Sequence, residues 1–326
     1  MTGAVAIGVV VIGRNEGDRL VTALRSTLRG NASVCYVDSG SKDGSVAQAQ
    51  KMGAMVVSLD PARPFSAARA RNAGFDALFE AEGSVAFVQF MDGDCELDPA
   101  WIGTAMDFLQ SNPSAAIACG RRRERFPESS IYNRLCDMEW NTAIGKTLEC
   151  GGDFMVRASA FTQVSGFRAG MIAGEEPELC ARLRAAGWEI WRLDAEMTRH
   201  DANMLRFRQW WRRALRCGYA YASITHLHGR GPDRLKRRQM RSAIAWGAVI
   251  PAVILAGALV FPPFILLFGI YVVQAVRIGL RMERLGKNRV LFGASVMIGK
   301  FAEAVGVANF WLHRLRGRSG VLIEYK

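Results

Sequence analysis

With 326 residues, half of them hydrophobic, the chain is long enough for one large domain or two smaller ones with a proper core. Its seven cysteines are odd in number, scattered and without C-x-x-C spacing, which argues against a disulfide framework or a zinc site and for reduced cytosolic thiols. The net charge of +12 is uneven: residues 1–200 hold 21 Lys/Arg against 25 Asp/Glu, and residues 201–326 hold 21 against 5. The C-terminal part is therefore suited to an anionic surface, either nucleic acid or phospholipid.

The opening run "AVAIGVVVIG" is short, lacks a basic leader and ends in Gly-Arg-Asn, so it reads as a buried strand and not as a signal peptide. Apolar β-rich runs then alternate with helical ones. Strands are expected at 5–13, 33–38, 54–59, 84–92 and 115–120, with helices starting near Asp18, Asp43, Ser66 and Pro99 at polar caps or an N1 proline. Continuous rather than alternating apolar strands predict a parallel sheet covered on both faces. In such an α/β nucleotide-binding architecture, ligands gather at the carboxyl ends of the strands. Polar residues fall at those ends: Asn15 and Glu16 after the first strand, Asp38 after the second, Asp92 and Asp94 after the fourth. Residues 121–200 are less regular, and the run "RRRER" (121–125) reads as a solvated or headgroup-facing surface. A helix dense in Arg and Trp follows over 204–228.

The stretch 243–276 carries no charge in 34 residues. One helix of that length overshoots a bilayer core of about 30 Å. Pro262 and Pro263 split it into roughly 243–261 and 264–280, a tight transmembrane hairpin. Basic clusters flank both ends, which places both flanks in the cytoplasm by the positive-inside rule. The stretch 290–312 is interrupted by Lys300 and Glu303 and followed by "HRLRGR", so it reads as an amphipathic helix in the interface, with a third span as the alternative. Nucleic-acid binding is the poorer reading of the basic half, because its charge is interleaved with membrane segments.

The stretch "MDGDCELD" places Asp92, Asp94, Glu96 and Asp98 at every second position. An EF-hand reading fails: Leu97 stands where the loop needs Gly, and Gly103 where it needs a bidentate Glu. The other reading is a D-x-D pair holding Mg²⁺ or Mn²⁺ against a diphosphate, since hard divalent cations take one or two carboxylates plus phosphate oxygens. Glu96 and Asp98 then read as supporting or capping residues.

"VVVIGRNEGDRL", "YVDSGSKDGS", "ARARNAGF", "FMDGDCELDP" and "AGEEPELCARLRAAGW" occur in that order. Together they resemble a family 2 glycosyltransferase with the GT-A fold, over roughly residues 5–220 plus the C-terminal membrane hairpin. Gly13-Arg14 departs from the usual Pro-x-Tyr. The resemblance implies a GT-A, Rossmann-like nucleotide-diphospho-sugar transferase domain over 1–228 and a membrane-associated helical region over 229–326.

It also implies roles for single residues. Asp38 resembles the Asp that accepts from the nucleobase, with Asn15 and Glu16 lining the same pocket. Arg71 is placed for the ribose or diphosphate, with Asn72 holding its loop. Asp92 resembles the first Asp, near ribose, sugar and metal, and Asp94 the metal-coordinating one. His200 resembles the His that completes the metal shell. Glu176, paired with Glu175, stands where the family's catalytic base stands in its Glu-Asp pair, and Glu178 reads as a helix cap. "QWWRR" (209–213) is similar to the Q-x-x-R-W of processive synthases, with Arg213 replacing the final Trp. Arg212 and Arg213 are then available to clamp a diphosphate. The alternative is that Trp210, Trp211 and the arginines sit at the lipid interface.

The resemblance implies an inverting transfer with Mg²⁺ or Mn²⁺, from a nucleotide-diphosphate sugar to a polyprenyl-linked saccharide in cell-surface or exopolysaccharide synthesis. The expected location is the plasma (inner) membrane, bound to phospholipid, with the catalytic domain cytoplasmic. The alternatives are transfer directly to polyprenyl phosphate, or a non-catalytic nucleotide-sugar-binding membrane protein.

Overall fold

The computed structural model describes residues 6–28, 32–231 and 234–317. Val5, at the start of the first expected strand, and Arg318, at the end of the last basic run, lie outside the described residues. The chain begins β1 (Ile7–Gly13), α1 (Asp18–Thr27), β2 (Ser33–Asp38), α2 (Ser45–Lys51), β3 (Met55–Ser58), α3 (Ala67–Glu82) and β4 (Phe87–Asp92). It continues through β5 (Cys95–Leu97), α4 (Trp101–Ser111), β6 (Ala115–Glu124), α5 (Ile131–Trp140), β7 (Gly145–Thr147) and β8 (Phe154–Arg157). Next come α6 (Ala158–Gln163), α7 (Glu175–Ala185), β9 (Glu189–His200) and α8 (Phe207–His228). The last helices are α9 (Arg237–Ile244), α10 (Ile250–Val260), α11 (Gly269–Leu280) and α12 (Arg289–Leu315).

The described residues pack as two units: one runs to Phe126 and resumes at Glu139–Ala202, the other joins Pro127–Met138 to the chain from Asn203 onward. The first unit is built on a nine-stranded sheet in the order β3-β2-β1-β4-β8-β6-β9-β5, with β7 pairing β9. Strands β3, β2, β1 and β4 are parallel, as their apolar runs predict. The all-parallel expectation fails beyond them, because β8 pairs antiparallel with both β4 and β6 and makes the sheet mixed. Four residues, "FMVR", are too short to read as a strand from periodicity, so the reversal stays hidden in the sequence. Helices α1, α3 and α4 bury stripes at helical spacing, such as Leu20 with Leu24 and Trp101 with Ala105 and Leu109. Ser66 caps α3 by accepting from the Arg69 N–H, as its position predicts.

In the second unit, Arg237–Val260, Pro262–Leu280 and Leu285–Leu315 are each long and apolar enough to cross a membrane. The first of these contains a π-helical turn at Ala245–Val249. Pro251 accounts for it, since a proline there can neither donate its N–H nor clear the carbonyl four residues back. The chain reverses at Pro262, after which a 3₁₀ turn leads into α11. Leu259 and Val260 beside the reversal are almost fully exposed, at 89% and 88%.

Helix α12 packs on α8, α9 and α11. Small residues permit this: a Cβ at Gly218, Gly247, Gly293 or Gly306 would strike the backbone of the facing helix. Trp210 is buried and stacked on Tyr132, so it is a core residue of this unit and not a lipid-interface one. Gln209 accepts from the N–H groups of Leu205 and Arg206 at 2.9 Å each, and so closes the first turn of α8.

Candidate active site

The loops after β1 and β2 are laced to each other. Asn15, at a φ of 54°, accepts the Lys42 N–H on its side-chain oxygen at 2.8 Å, while its own N–H donates to Ser41 Oγ at 2.9 Å. Asp38 ends β2 and is 3% exposed. Its Oδ2 accepts from Gly40 and Ser41 N–H, and its Oδ1 from the Tyr36 hydroxyl at 3.0 Å. Glu16 pairs with Arg19 at 2.8 Å and lies beside Gly93 of the D-x-D turn. Asn15, Glu16 and Asp38 thus gather at the carboxyl edge of the parallel strands, as predicted.

A second group centres on Arg71, in α3 and 2% exposed. Its Nη2 donates to Asp92 Oδ1 at 3.0 Å, and its Nη1 to Glu176 Oε1 at 3.1 Å and Glu175 Oε1 at 3.4 Å. One guanidinium therefore joins the end of β4 to the first turn of α7. Burial alone would lower the pKa of Arg71, but Glu176, Asp92 and Glu175 more than reverse that and hold it charged. Glu176 is pushed up to about 7, chiefly by burial and then by the neighbouring Glu175 charge, against the pull of Arg71. Gly152 lies over this group: a Cβ there would sit 3.0 Å from Arg71 Nη2, 3.2 Å from Asp92 Oδ2 and 3.4 Å from Glu176 Oε1. Only glycine leaves that approach open.

Strand register builds the third group. Residue His200 of β9 faces Glu124 on β6 and Cys95 on β5. His200 Nε2 comes to 3.3 Å from Asp94 Oδ2, and its Nδ1 to 3.7 Å from Glu124 Oε2. The Trp140 ring meets the imidazole edge-on at 4.9 Å. Burial, and then the Arg122 charge, lower the pKa of His200 and favour the neutral ring that can act as a metal ligand. Asp94, Cys95 and His200 bring their donor atoms within 4.8 Å of one another, as do Asp92, Cys95 and Asp153.

Sequence reasoning missed Arg122, Glu124 and Asp153. Asp153 accepts the Asp92 N–H at 3.1 Å and the Thr198 hydroxyl at 2.6 Å. Arg122 donates to Asp92 Oδ2 at 3.0 Å. The solvated reading of "RRRER" is corrected here: the run continues β6, so alternate residues face opposite ways. Arg122 and Glu124 face the site, while Arg123 and Arg125 are exposed and pair with Glu196 and Glu96. Period two carried on from "AAIACG" was the available signal. Glu178 is also corrected. It lies in the acidic first turn of α7 but is fully buried, accepting from Arg182 and pairing with Arg168 at 2.7 Å. Asp98 accepts the Ala100 N–H at 2.9 Å in an Asx-type turn before α4, whose N-cap is Ala100. Arg212 and Arg213 lie on α8 of the second unit.

This sheet, with its acidic strand ends, has the layout of the GT-A fold. Residues 8–168 match the model of Glycosyl transferase family 2, so the chain carries a domain of that family. No curated protein matches the sequence significantly. Among solved structures, the chain is similar to a mannosyltransferase of Pyrobaculum calidifontis in complex with GDP-Man and Mn²⁺. The identity is 16%, the TM-score 0.63, and the match covers 94% of this chain and 88% of that one. Glucosyl-3-phosphoglycerate synthase of Mycobacterium tuberculosis, in complex with Mn²⁺, UDP and glucosyl-3-phosphoglycerate, matches at 18% identity and a TM-score of 0.47. That match covers 68% of this chain and 80% of that one.

Proposed function

We propose that the protein is an inverting, metal-dependent glycosyltransferase. It moves a sugar from a nucleotide-diphosphate sugar to a hydroxyl of a polyprenyl-linked saccharide at the cytoplasmic face of the plasma membrane, in cell-surface or exopolysaccharide assembly. The observation that carries the reading is the Arg71 bridge between Asp92 and Glu176. It ties the end that would hold the donor to a carboxylate whose pKa of about 7 suits a general base. Glu176 takes the acceptor proton as the hydroxyl oxygen attacks the anomeric carbon from the face opposite the leaving diphosphate, which inverts that centre. Asn15, Glu16 and Asp38 take the nucleoside, and Asp92, steadied by Arg71, orients the sugar.

Asp94 and His200 fit a divalent cation, Mg²⁺ or Mn²⁺: both are buried, the imidazole is kept neutral, and Glu124 stands behind its far nitrogen as outer partners of metal ligands do. Such an ion supplies charge stabilisation to the departing diphosphate. Asp92 gives both oxygens to guanidinium groups, which favours a supporting role for it over direct ligation. Arg212 and Arg213 are assigned to phosphates of the donor or the lipid-linked acceptor on their motif alone.

The exposed apolar arms and their basic flanks support membrane attachment and a lipid-linked acceptor. Helix α12 touches both arms, at Gly293 against α11 and at Lys300 against Gly247, while α8 with its arginines packs along its C-terminal half. The experiment is turnover of purified protein with Mn²⁺ over a panel of nucleotide sugars, with and without polyprenyl-linked acceptors. Transfer only when the acceptor is present is expected. No transfer and no nucleotide-diphosphate binding across the panel contradicts the reading.

A further inference from the structure

Asp92, Cys95 and Asp153 form a donor set of two carboxylates and a thiol, all within 4.8 Å of one another. The guanidinium of Arg122 lies on every member. Its Nη2 is 3.0 Å from Asp92 Oδ2 and 3.2 Å from Cys95 Sγ, and its Nε is 3.3 Å from Asp153 Oδ2. The Trp140 ring covers the guanidinium at 5.1 Å. Cys95 also belongs to the neighbouring set with Asp94 and His200, so one thiol stands between two three-donor groups. One of those groups already contains a cation.

Two carboxylates this close, Asp153 fully buried and Asp92 partly exposed, need a positive charge between them to offset their repulsion. A divalent ion would meet that need, and so does an arginine, which is always charged and offers a planar fork of donors. We propose that Arg122 is the resident cation of the Asp92–Cys95–Asp153 seat. By filling it, Arg122 confines a divalent ion to Asp94 and His200. A metal ion entering the seat would meet the guanidinium at contact distance, and like charges there repel strongly. The consequence for Asp92 is positional. With Oδ1 on Arg71 and Oδ2 on Arg122, its carboxylate is fixed in place and kept off the ion. Cys95 Sγ is held within the seat by Asp153 Oδ2 at 3.3 Å and Arg122 Nη2 at 3.2 Å.

The inference rests on the metal-dependent reading above, and Co²⁺ titration of the full-length protein separates the two. Thiolate bound to Co²⁺ gives a charge-transfer absorption in the near ultraviolet, which carboxylate and imidazole ligation does not. Wild-type protein is expected to bind one Co²⁺ per chain without that band. Arg122→Met is expected to bind a second Co²⁺ and show the band, and adding Cys95→Ser should remove the band. Arg122→Lys, which keeps the charge, should stay at one ion. A thiolate band in the wild type overturns the proposal, whether or not the variants fold. So does an Arg122→Met protein with native circular dichroism that binds one Co²⁺ and shows no band. Wild-type protein that binds no Co²⁺ contradicts the metal-dependent reading, while a second-seat ion in Arg122→Met still supports the assignment of Arg122.

Discussion

Arg71 Nη1 lies 3.1 Å from Glu176 Oε1, and the same guanidinium reaches Asp92 at 3.0 Å through Nη2. The assigned base and the first Asp of the D-x-D turn therefore share one buried cation. Removing it leaves Glu175 and Glu176 without their shared cation, and leaves Asp92 with Arg122 alone. Breaking a buried pair in this way costs about 3–5 kcal/mol. Arg71→Met is expected to lose that much stability in chemical denaturation. Arg71→Lys, which keeps the charge but not the fork, should fall between the two.

The pH profile follows from Glu176. A base acts as the carboxylate, and its pKa is raised to about 7 by burial and by Glu175. Activity measured as kcat/KM should therefore rise about tenfold per pH unit below 7 and level off above it. Glu175→Gln removes a neighbouring negative charge, so the rising limb should move to lower pH. A limb that stays in place after this substitution would detach the titration from the Glu pair.

Glu124 stands 3.7 Å behind His200 Nδ1, on the side where metal-ligating histidines meet their outer partner. Groups in that position typically change metal affinity by about 10–100-fold. Glu124→Gln is expected to weaken Mn²⁺ binding by that factor in a paramagnetic-resonance titration, while the fold, read by circular dichroism, is unchanged. Equal Mn²⁺ affinity in the variant would leave Glu124 a purely structural residue.

Gly152→Ala places a methyl 3.0–3.4 Å from Arg71, Asp92 and Glu176. The neighbours are side-chain ends that can yield, so the protein should fold. A displacement of reacting groups approaching 1 Å can cost about 10²-fold in rate. A loss of kcat/KM of that order with a near-native melting temperature is the expected result. Full activity would show that the group tolerates the shift.

The parallel half of the sheet was legible because β1, β2 and β4 are continuous apolar runs ending in polar residues. The same runs located Asn15, Asp38, Asp92 and Asp94, since a ligand site at strand ends needs no long-range information. Glu176 and His200 were reachable only through motif resemblance. Their meeting with Arg71 and Asp94 depends on α7 and on the β5–β9 register, which no local pattern encodes. Arg122 and Glu124 were lost for a different reason. Five charged residues in a row read as surface, although burial alternates from Arg122 to Arg125 once the strand is known. Asp153 sits on a short approach to β8, a four-residue strand below the length at which periodicity can be read.

If Glu176 is the general base of transfer to a hydroxyl acceptor, Glu176→Gln removes the proton acceptor while keeping the side chain's shape. The measurement is turnover at saturating nucleotide sugar and polyprenyl-linked saccharide, with donor affinity followed in parallel. A fall in kcat of about 10²–10⁴-fold with donor binding retained is expected. Near-normal turnover in the variant would contradict it, and would point to an acceptor that is already an anion, such as polyprenyl phosphate.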